Sequence, residues 1–237
     1  MEAVRGTNAE ESAAQAANFL TNTLVHYSDI PTLLLVSGGS SLSILNYMNV
    51  EVLRNNLQIA QIDERWTPNE RDRNSSAFKK TAFYTQALNT GVPFVSINVA
   101  DSDSPEESAK KHEWFLKQWH SLFRDGVIIA MLGIGSDGHI AGVLPNQSAP
   151  DRFNKMFYYT RDWVAGYRIP QGGAFPARVT TTLHFLYQEV TTAIVYACGD
   201  EKREALQRLY MPEGSLPQIP ARILHQMRDA RLFSDMV

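Results

Sequence analysis

Short apolar runs that end in glycine or in charged residues recur along the chain and predict buried β-strands. The four clearest runs are Thr32–Val36, Leu57–Ile62, Val127–Leu132 and Thr192–Cys198. Each is short and bounded by turn signals, which is typical of strands buried on both faces of a parallel sheet. Two further strands are predicted at Pro93–Val99 and Met156–Thr160.

Between these runs, apolar residues recur at the spacing of an α-helix. Asn8–His26 combines an apolar stripe with a capping residue and two early glutamates, and Pro105–Leu122 follows a capping segment. Other helices are predicted over Leu42–Met48, from Asn74 or Ser75 through Leu88, over Thr181–Tyr187, from Gly199–Lys202 to Leu209, and over Leu216–Met227. Alternating strands and helices indicate an α/β fold, with a mainly parallel, Rossmann-like sheet and helices on both faces.

Composition narrows the class of protein. The chain has 237 residues, 44% of them hydrophobic, which suits a single α/β domain over residues 1–237. A net charge of −3 argues against nucleic acid or an anionic membrane as a partner. The lone cysteine, Cys198, cannot form an internal disulfide and is interpreted as a core residue. With no signal peptide and no membrane-spanning apolar run, a cytoplasmic location is expected.

The stretch Val127–Pro145 carries most of the candidate chemistry. Its strand leads into four glycines spaced two to four residues apart, with Asp137 and His139 among them. Clustered glycines let a backbone turn sharply and approach a ligand. Open α/β sheets bind their ligands beyond the carboxyl ends of the strands. If the protein is an enzyme, its catalytic residues are therefore expected in this loop. Taken alone, His139 is equally well interpreted as a capping or core histidine.

Three other loops follow predicted strands and are expected at the same sheet edge. Ser37–Ser41 is a glycine turn that opens a helix, a geometry that offers N–H groups to an anion or simply makes a tight connection. Asp63–Arg65 and Gly199–Lys202 place charges at two further strand ends. The sequence lacks zinc-ligand spacing and a Gly-x-Ser-x-Gly elbow, so neither a metal nor a serine nucleophile is expected. The polar segment 161–177 is predicted to be a mobile loop that can cover the site.

Taken in order, these motifs resemble those of 6-phosphogluconolactonases, in a family that also includes glucosamine-6-phosphate deaminases/isomerases. The matching motifs are Ser37–Ser40, Asp63–Arg65 with Asn74 downstream, Gly133–Ala141, and Arg178–Thr180 followed by Gly199–Lys202. The resemblance implies a phosphosugar isomerase/CoA-transferase-like fold and no cofactor. The chain departs from the family pattern at several positions, such as Ser41-Leu42 and Arg73-Asn74. These departures concern secondary contacts of the site.

The resemblance also implies roles for individual residues. His139 would be the catalytic base, with either Asp137 or Asp63 as its partner, and Arg65 would lie near the substrate carbonyl. Binding of the substrate and its phosphate would fall to Ser37, Gly38, Gly39, Ser40, Ser41, Asn74, Gly135, Arg178 and Lys202.

Two positions separate the lactonase from the deaminase branch. Deaminases carry an aromatic residue after the Asp-Glu pair and a glutamate before the proline that ends the histidine motif, where this chain has Arg65 and Leu144. Hydrolysis of 6-phospho-D-glucono-1,5-lactone to 6-phospho-D-gluconate, in the oxidative pentose phosphate pathway, is therefore expected. The alternatives are a deaminase and a non-catalytic phosphosugar sensor. The only expected partner is a small phosphosugar lactone, and the chain is expected to be a monomer or weak homodimer.

Overall fold

A seven-stranded parallel sheet forms the centre of the fold. The computed structural model describes residues 1–169 and 174–236. In spatial order the strands are β1 (Glu2–Arg5), β10 (Ala230–Ser234), β9 (Thr192–Tyr196), β6 (Val127–Gly133), β2 (Thr32–Val36), β3 (Leu57–Gln61) and β5 (Phe94–Val95). Every neighbouring pair is parallel, so the carboxyl ends of the strands lie at one edge of the sheet.

Helices cover both faces of this sheet. The α-helices are α1 (Ala9–His26), α2 (Asn74–Lys79), α3 (Ala82–Asn89), α4 (Pro105–Leu122), α5 (Pro150–Phe157), α6 (Leu183–Gln188) and α7 (Arg203–Tyr210). Short 3₁₀ helices occupy Gly39–Tyr47, Val50–Val52, Glu70–Asp72, Asp200–Lys202 and Pro220–His225. Alternate residues of β2 enter two separate apolar clusters, Leu34 beside α1 and Leu35 beside α4, as period-two alternation in a doubly covered sheet requires. No helix in the described ranges is both long and apolar enough to cross a membrane.

A small antiparallel sheet lies beside the main one. Its strands are β4 (Asp63–Arg65), β8 (Ala177–Thr181) and β7 (Val164–Arg168), in the order β4-β8-β7. Arg178 of β8 pairs with Arg65 on one side and with Tyr167 on the other. Because side chains alternate along a strand, paired residues share a face of this sheet.

The strands and helices with the strongest sequence signals are confirmed. The four apolar runs form β2, β3, β6 and β9, and both long helices form within a residue of their expected bounds. Asn8 caps α1 by accepting a hydrogen bond from the Glu11 N–H at 2.8 Å. Ser104 caps α4 in the same way, with Pro105 in the first turn.

Several weaker predictions are wrong. Met156–Thr160 is not a strand: Pro150 opens α5, and Phe153 and Phe157, one turn apart, bury their rings. The segment 161–177 is not simply a loop, because it contains β7 and begins β8; residues 170–173 lie outside the described part of the chain. The predicted final helix shrinks to the 3₁₀ turn Pro220–His225. The edge strand β1 and its neighbour β10 were not predicted.

Candidate active site

His139 and Asp137 form a hydrogen-bonded pair in the loop after β6. The ring Nδ1 lies 2.6 Å from Asp137 Oδ1, and the backbone N–H of His139 donates to the same oxygen at 3.0 Å. Burial raises the pKa of Asp137, but the hydrogen bonds and charge of His139 outweigh it and hold that pKa at about 2. An ionised carboxylate only accepts hydrogen bonds, so in the neutral imidazole Nδ1 carries the proton and Nε2 keeps its lone pair.

The glycines of this loop shape the surroundings of the imidazole. A Cβ on Gly135 would lie 2.0 Å from His139 Nδ1, so only glycine leaves room for the ring. Gly138 has a φ of +88°, a left-handed conformation that glycine adopts without strain. The histidine side chain remains 32% exposed, so a ligand in the crevice can reach it.

Asp63 lies buried beside this loop, bound by two polar side chains. Ser37 Oγ donates to Asp63 Oδ1 at 2.8 Å, and Asn74 Nδ2 donates to Oδ2 at 2.9 Å. Burial raises the pKa of Asp63, while the Ser37 hydrogen bond and the positive charges of Arg178 and His139 counteract the rise. Asp63 therefore lies near enough to His139 to interact with it electrostatically. The hydrogen-bonded partner of the imidazole, however, is Asp137.

Glu64 has a role that the sequence did not predict. Its carboxylate accepts hydrogen bonds from the backbone N–H groups of Asn74 at 2.6 Å and Ser75 at 2.9 Å. It thus caps α2 from a neighbouring strand, and Asn74 and Ser75 are the first helical residues. Gln61 Nε2 adds a third donor at 3.0 Å. No local signal links a glutamate to a helix ten residues away.

Gln61 in turn connects this cap to a buried histidine on α4. His112 Nε2 lies 2.8 Å from the Gln61 carbonyl oxygen, and Gln61 Oε1 accepts from the Ile97 N–H at 2.7 Å. His112 is therefore a buried packing residue with a defined hydrogen bond. It supports the candidate site from the opposite side of β3.

Two arginines lie side by side across the small sheet. Arg65 and Arg178 are directly paired residues of β4 and β8. Arg65 donates to the Asp72 carbonyl at 3.1 Å, and its guanidinium lies 4.3 Å from the centre of the Phe175 ring. Arg178 Nε is buried and has no hydrogen-bond partner among the described residues. Like charges placed opposite each other destabilise a sheet unless an anion joins them, so this pair fits an anion site.

The Ser37–Ser41 turn follows β2 at the same edge. The Ser37 hydroxyl is engaged with Asp63, and Ser41 Oγ donates to the Gly38 carbonyl at 3.0 Å. Ser40 and Gly39 are exposed at the start of a 3₁₀ helix, where backbone N–H groups lack intrahelical partners. The structure thus leaves Ser40 and the turn's backbone, rather than all three hydroxyls, open to a ligand.

The remaining predicted residues lie at this edge by topology. Gly38 packs so closely on Asn74 that a Cβ would lie 2.3 Å from its Oδ1. Lys202 follows β9, the neighbour of β6, and is half-buried in the 3₁₀ helix Asp200–Lys202. No cluster of three or more histidine, cysteine or acidic side chains suited to a metal occurs within residues 1–169 and 174–236.

A cavity of about 430 Å³ adjoins the histidine loop. Leu144 and Tyr167 line it together with the aromatic rings of α5. Leu144 is one of the two positions that separate the lactonase branch from the deaminase branch. It contributes an apolar wall to this cavity and no carboxylate. The fold is that of an α/β protein, and its candidate site brings together a histidine–carboxylate pair and groups suited to an anion at one sheet edge.

Comparison with known proteins identifies the family. A model of the glucosamine-6-phosphate isomerases/6-phosphogluconolactonase family matches residues 7–233, and the chain belongs to this family. A relative named probable 6-phosphogluconolactonase 1, from Arabidopsis thaliana, is 28% identical over 144 residues, covering 54% of this chain and 49% of that protein. The chain thus spans about half the length of this curated relative.

Solved structures share the fold at low identity. The 6-phosphogluconolactonase from Plasmodium vivax matches with a TM-score of 0.77 and 14% identity, covering 99% of this chain and 90% of that one. A monomeric glucosamine-6-phosphate deaminase matches with a TM-score of 0.71 and 18% identity, covering 99% and 97%. The fold is therefore common to both activities, and the site residues must separate them.

Proposed function

We propose that this protein hydrolyses 6-phospho-D-glucono-1,5-lactone to 6-phospho-D-gluconate, as in the oxidative pentose phosphate pathway. The observation that carries the proposal is the His139–Asp137 pair, held at one sheet edge with Asp63 and the paired arginines Arg65 and Arg178. An ester hydrolase of this kind needs a base for water, a donor for the oxyanion and an anchor for the phosphate.

His139 serves as the base. With Nδ1–H donating to Asp137, the free Nε2 takes a proton from water as the water oxygen attacks the lactone carbonyl. The carbonyl carbon becomes tetrahedral, and its oxygen takes the negative charge. When the ring C–O bond breaks, the imidazolium returns the proton to the leaving ring oxygen. Asp137 orients the ring and stabilises its positive charge, the role of a carboxylate in comparable histidine sites.

The oxyanion can accept hydrogen bonds from backbone N–H groups of the glycine loop or from Arg65, and Arg65 is the better donor. The N–H groups of Gly135 and Gly138 already donate within the loop, to the His139 and Gly135 carbonyls at 3.0 and 2.9 Å. The His139 N–H donates to Asp137. These engaged groups favour the guanidinium of Arg65, which has further N–H donors beyond its bond to Asp72.

Arg178, Lys202 and the Gly38–Ser41 turn bind the phosphate in this proposal. Arg178 is supported by its unpartnered Nε, and the turn by its exposed Ser40 and the N–H groups that open its helix. Anchoring the phosphate far from the carbonyl orients the ester, so remote binding energy favours the transition state.

Deamination of glucosamine 6-phosphate is the second candidate. The shared fold favours it equally. By the family resemblance, however, Leu144 stands where deaminases carry a glutamate, and its apolar side chain lines the neighbouring cavity. Without that carboxylate, a deaminase lacks the group that assists its histidine in opening the sugar ring.

One assay distinguishes these functions. Freshly prepared 6-phosphogluconolactone, or glucosamine 6-phosphate, is supplied to the purified protein, and acid or ammonia release is followed. We expect acid release above the uncatalysed rate and no ammonia. Ammonia release would favour the deaminase, and binding of 6-phosphogluconate without turnover would favour a sensor. A cytoplasmic location and a monomer or weak homodimer belong to the same proposal, and light scattering tests the latter.

A further inference from the structure

Side chains of the β7–β8 hairpin bind both backbone polar groups of Gly142. The Gly142 N–H donates to Thr180 Oγ1 at 2.9 Å, and the Tyr167 hydroxyl donates to the Gly142 carbonyl at 2.7 Å. The Leu144 N–H approaches the same tyrosine oxygen at 3.4 Å. Two hydroxyls of the small sheet therefore hold the segment that directly follows His139.

This segment needs such support because its backbone is unusual. Ala141 has a φ of 50°, in the left-handed region that non-glycine residues seldom adopt. Gly142 lies so close to the small sheet that a Cβ would be 2.8 Å from the Thr180 Cβ. A strained backbone persists only where surrounding contacts determine it, and the two hydroxyls supply those contacts.

The same hairpin carries the proposed phosphate anchor. Tyr167 is the direct strand partner of Arg178, and Thr180 lies two residues further along the same strand as Arg178. The paired strands β7 and β8 thus link two ends of one site: the phosphate anchor on β8 and the loop that presents the imidazole.

We propose that Tyr167 is a positioning residue, and that with Thr180 it fixes the His139 loop relative to Arg178. This inference rests on the proposed lactone hydrolysis for its effect on rate. Tyr167 does not touch substrate or the reacting atoms in this account. Burial raises the pKa of Tyr167 to about 12, which keeps its hydroxyl protonated and donating to Gly142 throughout the neutral range.

Kinetics of hydroxyl-deletion variants test the effect on rate. Tyr167→Phe removes the hydroxyl and keeps the ring in place. We expect kcat to fall about tenfold, equivalent to about 1.4 kcal/mol, with KM changed less than twofold because Arg178 stays in its strand. Tyr158→Phe is the matched control, since the Tyr158 hydroxyl donates to Gln226, and none of the hydrogen bonds in the described ranges joins it to a site residue. Equal kcat in Tyr167→Phe and Tyr158→Phe overturns the inference, and so does a change confined to KM.

The threonine provides a second test if the tyrosine variant folds poorly. Thr180→Ser keeps the hydroxyl and Thr180→Val removes it at nearly constant volume. We expect the serine variant to retain several-fold more kcat than the valine variant. Equal loss in both points to packing alone and contradicts the proposal.

Hydrogen exchange measures the positioning itself, without reference to activity. Loss of the Tyr167 hydroxyl should speed amide exchange in the peptide 138–145, and Tyr158→Phe should leave it unchanged. Unchanged exchange in Tyr167→Phe overturns the positioning role whatever the protein catalyses. If the two variants show the expected exchange but the wild-type protein releases no acid, only the proposed function is refuted.

Discussion

His112 makes the stability of this fold sensitive to mild acid. Its ring is buried against Phe115 and bonded to the Gln61 carbonyl. Burial lowers the pKa of His112 from 6.5 to about 4, and the hydrogen bond offsets only part of this effect. Between these two values the unfolded chain binds a proton that the folded protein rejects. The contribution to stability is therefore complete above pH 6.5 and decreases as pH falls toward 4.

The size of the effect follows from the separation of the two pKa values. A difference of about 2.5 units corresponds to about 3 kcal/mol over the whole window, of which about 2 kcal/mol is lost by pH 5. Domains of ordinary stability unfold with a free energy of about 5–15 kcal/mol, so this loss is measurable. The loss also affects the site, because Gln61 joins His112 to the Glu64 cap.

Urea unfolding at pH 7.5 and pH 5 measures this loss when wild type is compared with His112→Gln. The glutamine amide can still donate to the Gln61 carbonyl but does not titrate. We expect the free energy of unfolding of wild type to fall by about 2 kcal/mol more than that of the variant. Asp63, whose raised pKa gives the opposite slope, contributes equally to both proteins and cancels. An equal pH dependence in the two proteins would refute the reasoning.

Three further predictions concern the site. Gly135→Ala should lower kcat at least a hundredfold, because its Cβ would lie 2.0 Å from His139 Nδ1. Gly133→Ala is the control in the same assay, because its Cβ would lie 3.7 Å from the nearest neighbouring atom. Arg178→Ala should raise KM for the lactone at least tenfold with a smaller change in kcat, and steady-state kinetics that show the reverse would contradict its role as anchor. Asp137→Asn should lower kcat about a hundredfold while 6-phosphogluconate binding, followed by calorimetry, stays within about threefold.

The parts of the fold that were predictable from sequence have strong local signals. β2 and β6 are continuous apolar runs ended by turns, and α1 and α4 combine an apolar stripe with a side-chain cap. β7 has no such signal. Gly166 interrupts it and packs where a Cβ would lie 1.9 Å from the Pro105 carbonyl oxygen, so its partners rather than its residues make it a strand.

The candidate site likewise has parts that were predictable from sequence and parts that were not. The pairing of Asp137 with His139 is local and could be proposed from the loop. Which of Asp137 and Asp63 binds the imidazole depends on the backbone turn at Gly138, which the sequence left open. The Tyr167 hydroxyl is 25 residues from Gly142 in the chain, and no periodicity indicates their contact. Long-range polar contacts of this kind depend on how two sheets pack, which sequence patterns do not encode.

The central claim is that His139 is the base of a lactone hydrolase, and His139→Ala tests it most directly. Acid release from fresh 6-phosphogluconolactone is measured for wild type and variant, with the uncatalysed rate subtracted and 6-phosphogluconate binding measured in parallel. The account predicts wild-type turnover well above background, and a variant close to background that still binds 6-phosphogluconate. Full activity in His139→Ala, or no turnover in wild type, would contradict it.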